Sequence, residues 1–232
     1  MRDEDLPLVR ELPLFAAMEE ANFRELVQAS FLQRFPPQVT LIREGESADF
    51  LHVVIEGSVE LFAIANGRET TMEIVRPVAT FILAAAVNDL PYLMSARTLE
   101  SARILMLPTR NLHDVFARDA AFARSVVGEL STRYRSTVKT LKNQKLRTGA
   151  ERLANYLLQL DTENGGTGQM ELPIGKRVLA ALLGMTPENL SRAFATLAKY
   201  GVQVSGPRVT ITDRADLAKL ARPTPLVDDP TS

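Results

Sequence analysis

Glu188, Ser191 and Arg192 stand at spacings of three and four residues, so a helix would place them on one face. The Arg192 guanidinium can donate two parallel hydrogen bonds to guanine O6 and N7, Glu188 can accept from cytosine N4, and Ser191 can bond a base or a phosphate. A carboxylate weakens attraction to phosphates, so its place beside an arginine indicates sequence discrimination more than general attraction. The alternative is that Glu188 only stabilises the helix start and Arg192 only pairs with it.

Two short helices joined by a turn are predicted around these residues. The segment 176–183 has apolar residues at helical spacing, and Gly184-Met185 can form a tight turn. Thr186 can cap the next helix, Pro187 suits its first position, and Gly201 can end it. This is the pattern of a helix-turn-helix, whose second helix lies in the major groove of DNA.

The rest of this region supplies a packing face, candidate phosphate contacts and a hairpin. Leu190, Phe194 and Leu197 form the predicted packing face. The segments 202–205 and 209–211 flank Gly206-Pro207 and predict a small hairpin, which makes the motif winged. For the cations among the phosphate contacts, a solvated charged surface is the alternative. The candidate phosphate contacts are Lys176, Arg177, Thr186 and Lys199.

Charge is distributed unevenly along the 232 residues, whose net charge is -1. Residues 1–140 carry 15 Lys and Arg against 19 Asp and Glu, a balance of -4, whereas residues 141–222 carry 12 against 7, a balance of +5. This asymmetry indicates that the back half faces a polyanion while the front half does something else.

The front half has the pattern of an all-β domain preceded by one or two short helices. From residue 39 to residue 107, short β-like runs are separated by turn residues at intervals of about ten, as in an antiparallel sandwich or barrel. Asn66-Gly67 is the strongest hairpin signal, because both residues tolerate positive φ. The predicted strands are 40–42, 51–55, 58–64, 70–75 and 103–107.

After Pro108 the pattern becomes helical. Apolar residues recur at spacings of three and four with basic residues between them, as an interfacial helix requires. The alternative is a helix packed on its own domain. A second helix is predicted over 150–160, followed by a surface loop at 164–168. The predicted dimer seam consists of Ala123, Val127, Leu130, Tyr134, Val138 and Leu141.

Composition and motifs exclude several classes of protein. The absence of cysteine excludes a disulfide framework, a thiolate nucleophile, a cysteine zinc site and an ordinary iron–sulfur cluster. The sequence has no Gly-x-Ser-x-Gly, His-Glu-x-x-His or phosphate-loop motif, so no enzyme is expected. The acidic start is not a secretory signal, and the longest apolar run, 78–87, is too short to span a bilayer. We therefore expect a cytoplasmic protein without membrane attachment.

With its β-rich front, long helix and winged helix-turn-helix, the chain resembles the CRP/FNR family of bacterial transcription regulators over nearly its whole length. The most specific part of the resemblance is the segment 179–192, LAALLGMTPENLSR. The resemblance implies an α+β fold with an N-terminal cyclic-nucleotide-binding-like β-roll, a long dimerisation helix and a C-terminal winged helix-turn-helix. The implied domains are a sensor at 1–120, the dimerisation helix at 121–147, the DNA-binding domain at 148–223 and a flexible tail at 224–232.

The Glu-x-x-Ser-Arg core at 188–192 is similar to the FNR and Dnr branch of the family. This likeness implies that Glu188, Ser191 and Arg192 read the TTGAT half of a TTGAT/ATCAA inverted repeat. Pro187 stands where the catabolite-activator branch has an additional base-reading arginine, which argues against that branch's half-site. The acidic beginning and the runs 81–85 and 95–98 also look like the FtrB-type subgroup.

The resemblance also bears on what the front domain senses. In cyclic-nucleotide-binding members, a Gly-Glu pair holds the ribose and an Arg-Ser pair holds the cyclic phosphate. The aligned pairs here are Leu83-Ala84 and Met94-Ser95, so the glutamate and the arginine are missing. A phosphate buried without its arginine is desolvated and unpaired, so we expect no tight cAMP binding. Arg97 lies three residues after Met94, which places it on the opposite face of a strand.

The apolar stretch 81–87 can line a pocket for an uncharged or aromatic effector, or it can fill the core. No cofactor or metal is identified. Haem is not expected, because we interpret His52 as a strand histidine with satisfied bonding and His113 as an exposed helix residue. The candidates for an effector pocket are Phe81, Leu83, Ala84, Met94, Ser95 and Arg97.

These observations predict a homodimeric, sequence-specific transcription regulator that responds to an unidentified small effector or to none. Its expected partners are double-stranded DNA, a second copy of the chain and RNA polymerase. The alternative is a ligand-independent architectural DNA-binding protein. A short protected palindrome with a steep sequence preference would distinguish the regulator from the architectural protein.

Overall fold

The computed structural model describes residues 6–229, which divide into two compact units at the Arg133–Tyr134 peptide bond. The first unit holds four helices and eight strands, and helix α5 (Ala120–Leu146) crosses the boundary. The helices are α1 (Leu6–Arg10), α2 (Glu20–Gln28), α3 (Leu83–Asn88) and α4 (Thr109–Arg118). The strands are β1 (Phe31–Phe35), β2 (Thr40–Ile42), β3 (Phe50–Glu56), β4 (Val59–Ala65), β5 (Arg68–Val75), β6 (Ala79–Phe81), β7 (Ser95–Thr98) and β8 (Ala102–Pro108).

The strands of the first unit form two antiparallel sheets, ordered β1-β8-β3-β6 and β2-β7-β4-β5. One core, with Val54, Leu61 and Ala96, contains side chains from both sheets. A second core joins Leu51 of β3 to helical residues such as Phe122. Strand β3 is buried on both faces, which explains why its sequence is a nearly continuous apolar run.

The five predicted strands are present, but three strands and one helix of the roll were not predicted. Strands β1, β6 and β7 have only three to five residues and show little alternation of apolar and polar residues. Helix α3 begins after Ile82 at φ 62° and ends at Asp89 at φ 52°, without a capping side chain, so local signals for it are missing. The hairpin prediction is confirmed, because Asn66 and Gly67 have φ of 52° and 74° between β4 and β5.

The second unit contains the winged helix-turn-helix. Helix α6 packs against α8 and α9, and the three strands form one antiparallel sheet in the order β10-β11-β9. The predicted α+β fold is therefore confirmed. Its helices are α6 (Gly149–Glu163), α7 (Lys176–Leu182), α8 (Pro187–Leu197), a 3₁₀ turn (Ala198–Tyr200), α9 (Arg214–Ala221) and α10 (Pro225–Asp228). Its strands are β9 (Gln169–Glu171), β10 (Val202–Ser205) and β11 (Arg208–Ile211).

The segment 224–232, predicted as a flexible tail, contains a helix instead over most of its described length. Helix α10 begins at a proline, and Asp228 within it is paired with Arg147. Residues 230–232 of this prediction lie outside the described residues. Among helices within residues 6–229, none is long and apolar enough to cross a bilayer.

Candidate nucleic-acid interface

The turn between α7 and α8 is fixed by backbone hydrogen bonds and by a glycine. The amide of Gly184 donates to Ala181 O at 2.9 Å, and the amide of Met185 donates to Ala180 O at 2.8 Å. Gly184 has φ 63°, a left-handed conformation that favours glycine. A Cβ at this position would lie 2.3 Å from Oε1 of Gln144, so that side chain would have to move to admit a larger residue.

Helix α8 begins as its sequence predicts. The Thr186 side chain accepts a hydrogen bond from the amide of Asn189 at 3.3 Å, and Pro187 occupies the first turn. A hydrogen bond from the Thr186 hydroxyl, the helix-start amide and the nearby Arg192 charge together lower the pKa of Glu188. Glu188 is therefore an anion that supports the helix start and also stays accessible.

The two faces of α8 differ in exposure. Glu188, Ser191 and Arg192 are exposed, while Leu190 and Leu197 are buried. Ala193 is buried as well, although we predicted it on neither face. Phe194, which we predicted on the packing face, is only half-buried, with the Lys176 ammonium 5.7 Å from its ring centre.

Ser191 has a local hydrogen bond that limits what it can do. Its hydroxyl donates to Pro187 O, one helical turn earlier, at 3.0 Å. The oxygen can still accept from a base amine or a water without breaking this bond. In this conformation Ser191 can accept a hydrogen bond, whereas donating one to a phosphate would require its hydroxyl to rotate.

The candidate phosphate contacts lie at three places. Lys176 and Arg177, in the first turn of α7, line a cavity of about 310 Å³ together with Ser191 and Phe194. Thr186 is exposed at the start of α8. Lys199 lies beyond the other end of that 11-residue helix, about 16 Å away at the α-helical rise. The structure therefore brings Lys176 and Arg177 next to the reading face and leaves Lys199 apart from them.

The wing adds a cation that sequence reasoning missed. Gly206 has φ 60° at the β10–β11 turn, and Arg208 follows it with a side chain that is 79% exposed. Arg208 reaches Glu171 of β9 at 3.2 Å, an exposed pair that costs little to open. The sequence Gly206-Pro207-Arg208 could have predicted this cation, because a residue just after a hairpin turn lies at the tip of the wing.

The effector-pocket candidates do not form one cluster in the roll. Phe81 is buried in the core shared by the two sheets, and Leu83 is buried in the core formed with the helices. Ala84 is exposed. Met94 packs partly against the core of the sheets, and the buried Ser95 accepts a hydrogen bond from the amide of Glu44 at 3.0 Å.

Arg97 is engaged by carboxylates of neighbouring strands. Its guanidinium donates to Glu60 at 2.7 Å and to both oxygens of Glu69 at 2.8 and 3.2 Å. Its carbon Cζ also lies 4.4 Å from the centre of the Phe62 ring. Because its neighbour Ala96 is buried in the core, Arg97 lies on the other face of β7. These contacts hold Arg97 outside the interior of the roll.

The two histidines have different surroundings from those predicted. His52 is 3% exposed, stacks on Phe81 at a centroid distance of 5.0 Å, and has an Nδ1 atom without a hydrogen-bond partner. Burial lowers the pKa of His52 to about 4. His113, which we predicted to be exposed, is half-buried with Nε2 at 2.7 Å from Ala86 O. Within residues 6–229, no group of three or more His, Asp or Glu side chains is placed to hold a metal ion.

The predicted seam residues of α5 are unequally exposed. Val127, Tyr134 and Leu141 are at least half exposed, and Val138 is 37% exposed. Ala123 and Leu130 are half-buried, and Leu130 packs against the core formed by the roll and its helices.

Each of the two units contains a segment that matches a known protein family. Residues 32–119 match the family model of the cyclic nucleotide-binding domain, and residues 151–220 match that of the Crp-like helix-turn-helix domain. The chain is 27% identical over 215 residues to the CRP-like cAMP-activated global transcriptional regulator of Mycobacterium tuberculosis, covering 90% of this chain and 96% of that protein. It is 22% identical over 187 residues to the transcriptional activator protein FnrA of Stutzerimonas stutzeri, covering 78% and 77%.

Solved structures give the same assignment. A candidate cAMP-binding regulatory protein from Silicibacter pomeroyi has 29% identity and a TM-score of 0.60, covering 96% of this chain and 100% of that chain. A candidate regulator of the CRP/FNR family from Eubacterium rectale has 18% identity and a TM-score of 0.74, covering 91% and 98%, and supports the fold. With its match to the cyclic nucleotide-binding domain, its Crp-like helix-turn-helix and relatives that it covers over nearly their whole length, the chain belongs to the CRP/FNR family of DNA-binding transcription regulators.

Proposed function

We propose that two copies of this chain bind an FNR-like inverted repeat, TTGAT/ATCAA, and regulate transcription from it. The observation that carries the proposal is the exposed row of Glu188, Ser191 and Arg192 on α8, at the start of a helix that is capped and held by the helix-turn-helix. An arginine that can pair with guanine and a glutamate that can accept from cytosine are suited to one half of such a repeat.

Dimerisation would proceed through α5. Val127, Tyr134, Val138 and Leu141 expose large apolar side chains at spacings of seven, four and three along this helix. Exposed apolar residues in this rhythm are typical of a coiled-coil seam. A two-fold dimer would present α8 twice and match the two halves of an inverted repeat. Because the relatives include a transcriptional activator, FnrA of S. stutzeri, we propose RNA polymerase as a further partner and no catalytic role.

The effector of the sensor roll is proposed to be a molecule other than cAMP, or absent. Met94 stands at the position that the family resemblance assigns to the phosphate-binding arginine, and Arg97 is held by Glu60 and Glu69. An entering phosphate would have to compete with these carboxylates for a guanidinium on the other face of the strand.

Selection of binding sites from a pool of randomised duplexes tests the proposed function. We expect recovery of an inverted repeat with TTGAT-like halves, and a footprint confined to that palindrome. Recovery of no consensus, with equal binding to most duplexes, would favour an architectural role instead.

A further inference from the structure

The junction between α5 and α6 is bonded to the segment Thr224–Asp229. Arg147 lies in the two-residue connection between these helices, and its guanidinium donates to both carboxylate oxygens of Asp228 at 2.6 Å. The amide of Thr224 also donates to Asp228 at 2.6 Å, which orients the carboxylate. A second bond runs from Lys139 Nζ to Asp229 O at 2.7 Å. The Arg147 side chain is 10% exposed, so this bidentate pair is largely shielded from water.

The same junction is bonded to the turn of the helix-turn-helix. Arg152 of α6 is 9% exposed, and its guanidinium donates to Arg147 O at 2.6 Å and to Leu183 O at 2.8 Å. Leu183 directly follows the last residue of α7, and Gly184 comes next. A buried guanidinium between two carbonyl groups fixes their separation, because losing either bond would leave a charged donor unsatisfied.

These contacts form one continuous series within the second unit. It runs from Asp228 to Arg147, from the Arg147 carbonyl to Arg152, and from Arg152 to the turn that precedes α8. Gln144, on the last turn of α5, packs its side chain against Gly184 at the same turn. The turn that precedes α8 is therefore linked by contacts to residues outside the matched helix-turn-helix domain, which covers residues 151–220.

We propose that the segment Thr224–Asp229 is a positioning element for DNA reading, with Arg147 and Asp228 as the positioning residues. The segment holds the α5–α6 junction, and the junction holds the turn from which the recognition helix starts. This inference rests on the proposed function, because its readout is sequence-specific DNA binding.

The test compares Asp228→Asn with wild type on two duplexes, one carrying the selected inverted repeat and one with its bases scrambled. We expect the dissociation constant for the repeat to rise about 2- to 30-fold, the range for residues that act through a contact network, while scrambled duplex binds as before. The double variant Arg147→Asp/Asp228→Arg restores the pair with reversed polarity and should recover most of the loss. Asp216→Asn is the matched control, because Asp216 forms an exposed pair with Lys219 on α9.

Three outcomes would overturn the inference. One is unchanged binding of the repeat by Asp228→Asn, and another is a charge-reversed double variant that is no better than the single one. The third is an equal loss on both duplexes together with a lower melting temperature, because this would show a role in stability alone. Failure of the wild-type protein to prefer the repeat would instead reject the proposed function.

Discussion

The guanidinium of Arg97 donates a 2.7 Å hydrogen bond to Glu60, a carboxylate that is 1% exposed. Glu60 also accepts a bond from the Thr71 hydroxyl, and Arg97 extends over the Phe62 ring to Glu69. A buried carboxylate is tolerated only when it is paired, so the strands β4, β5 and β7 depend on this arginine. Arg97 therefore has a structural role in the first unit.

Replacing Arg97 by Met should destabilise the protein by about 3 kcal/mol, because Glu60 would remain buried without its counter-ion. Urea unfolding of wild type and variant measures the difference. Arg34→Met is the matched control, since the Arg34–Glu56 pair is exposed and should contribute at most about 1 kcal/mol. Equal stabilities of the two variants would show that the Glu60 pair is no stronger than a surface pair.

His52 should make the protein less stable in mild acid. Its folded-state pKa is about 4 against 6.5 for the ordinary side chain, so the unfolded chain binds the proton more readily. The contribution of neutral His52 is complete above about pH 6.5 and is lost as the pH falls through about 4, on the order of 3 kcal/mol in all. Urea unfolding at several pH values should show a flatter dependence for His52→Phe. Parallel curves for both proteins would contradict the prediction.

Arg192→Ala should weaken binding of the selected repeat by about 1 to 3 kcal/mol and relax the preference at the guanine. Fluorescence anisotropy with point-substituted duplexes measures both effects. Lys199→Ala serves as the comparison, because a phosphate contact should weaken binding of all sequences alike and reduce the salt slope by about one. An undiminished guanine preference in Arg192→Ala would rule out base reading by this residue.

Tyr134→Asp should convert the dimer to a monomer, because a charge would enter the apolar seam in the middle of α5. Tyr134 is 71% exposed in the single chain, so the substitution leaves folding intact. Leu130 is a poorer choice, since it also packs against the roll core. Sedimentation velocity gives the mass, with Thr132→Asp as an exposed control on the same helix. A Tyr134→Asp protein that sediments as a dimer would place the seam elsewhere.

Titration calorimetry with cAMP should give no heat of binding. By the family resemblance, Leu83-Ala84 and Met94-Ser95 stand where cyclic-nucleotide-binding members have the ribose-binding glutamate and the phosphate-binding arginine, and Arg97 is already paired. Micromolar binding of cAMP would show that another cation replaces that arginine.

The sequence alone predicts a structural element when the residues that determine it are close together in the chain. The cap at Thr186, the proline after it and the spacing of three and four residues predicted α8 and its exposed face, because all of them act within one helix. The partners of Arg97 could not be predicted, since Glu60 and Glu69 lie 37 and 28 residues away and are joined to it only by strand register.

Side chains that are close in sequence can also lie in different cores of the first unit, which strand alternation alone does not predict. Phe81 and Leu83 are two positions apart and, on one strand, would share a face. The left-handed Ile82 between them, φ 62°, ends β6 and starts α3, so their side chains enter different cores. Leu130 has helical periodicity that fits both a seam and a core, and only its packing shows that it contributes to the core.

Asp228 and Asp229 are both bonded to residues at or near the carboxyl half of α5. The segment Thr224–Asp229 is therefore held against the junction between α5 and α6. A fluorophore attached beside Thr224 would lie close to the α5–α6 junction, because the Thr224 amide and the Arg147 guanidinium bind the same carboxylate. A bulky group attached at the same place would crowd that ion pair, so labels on this protein are better placed elsewhere.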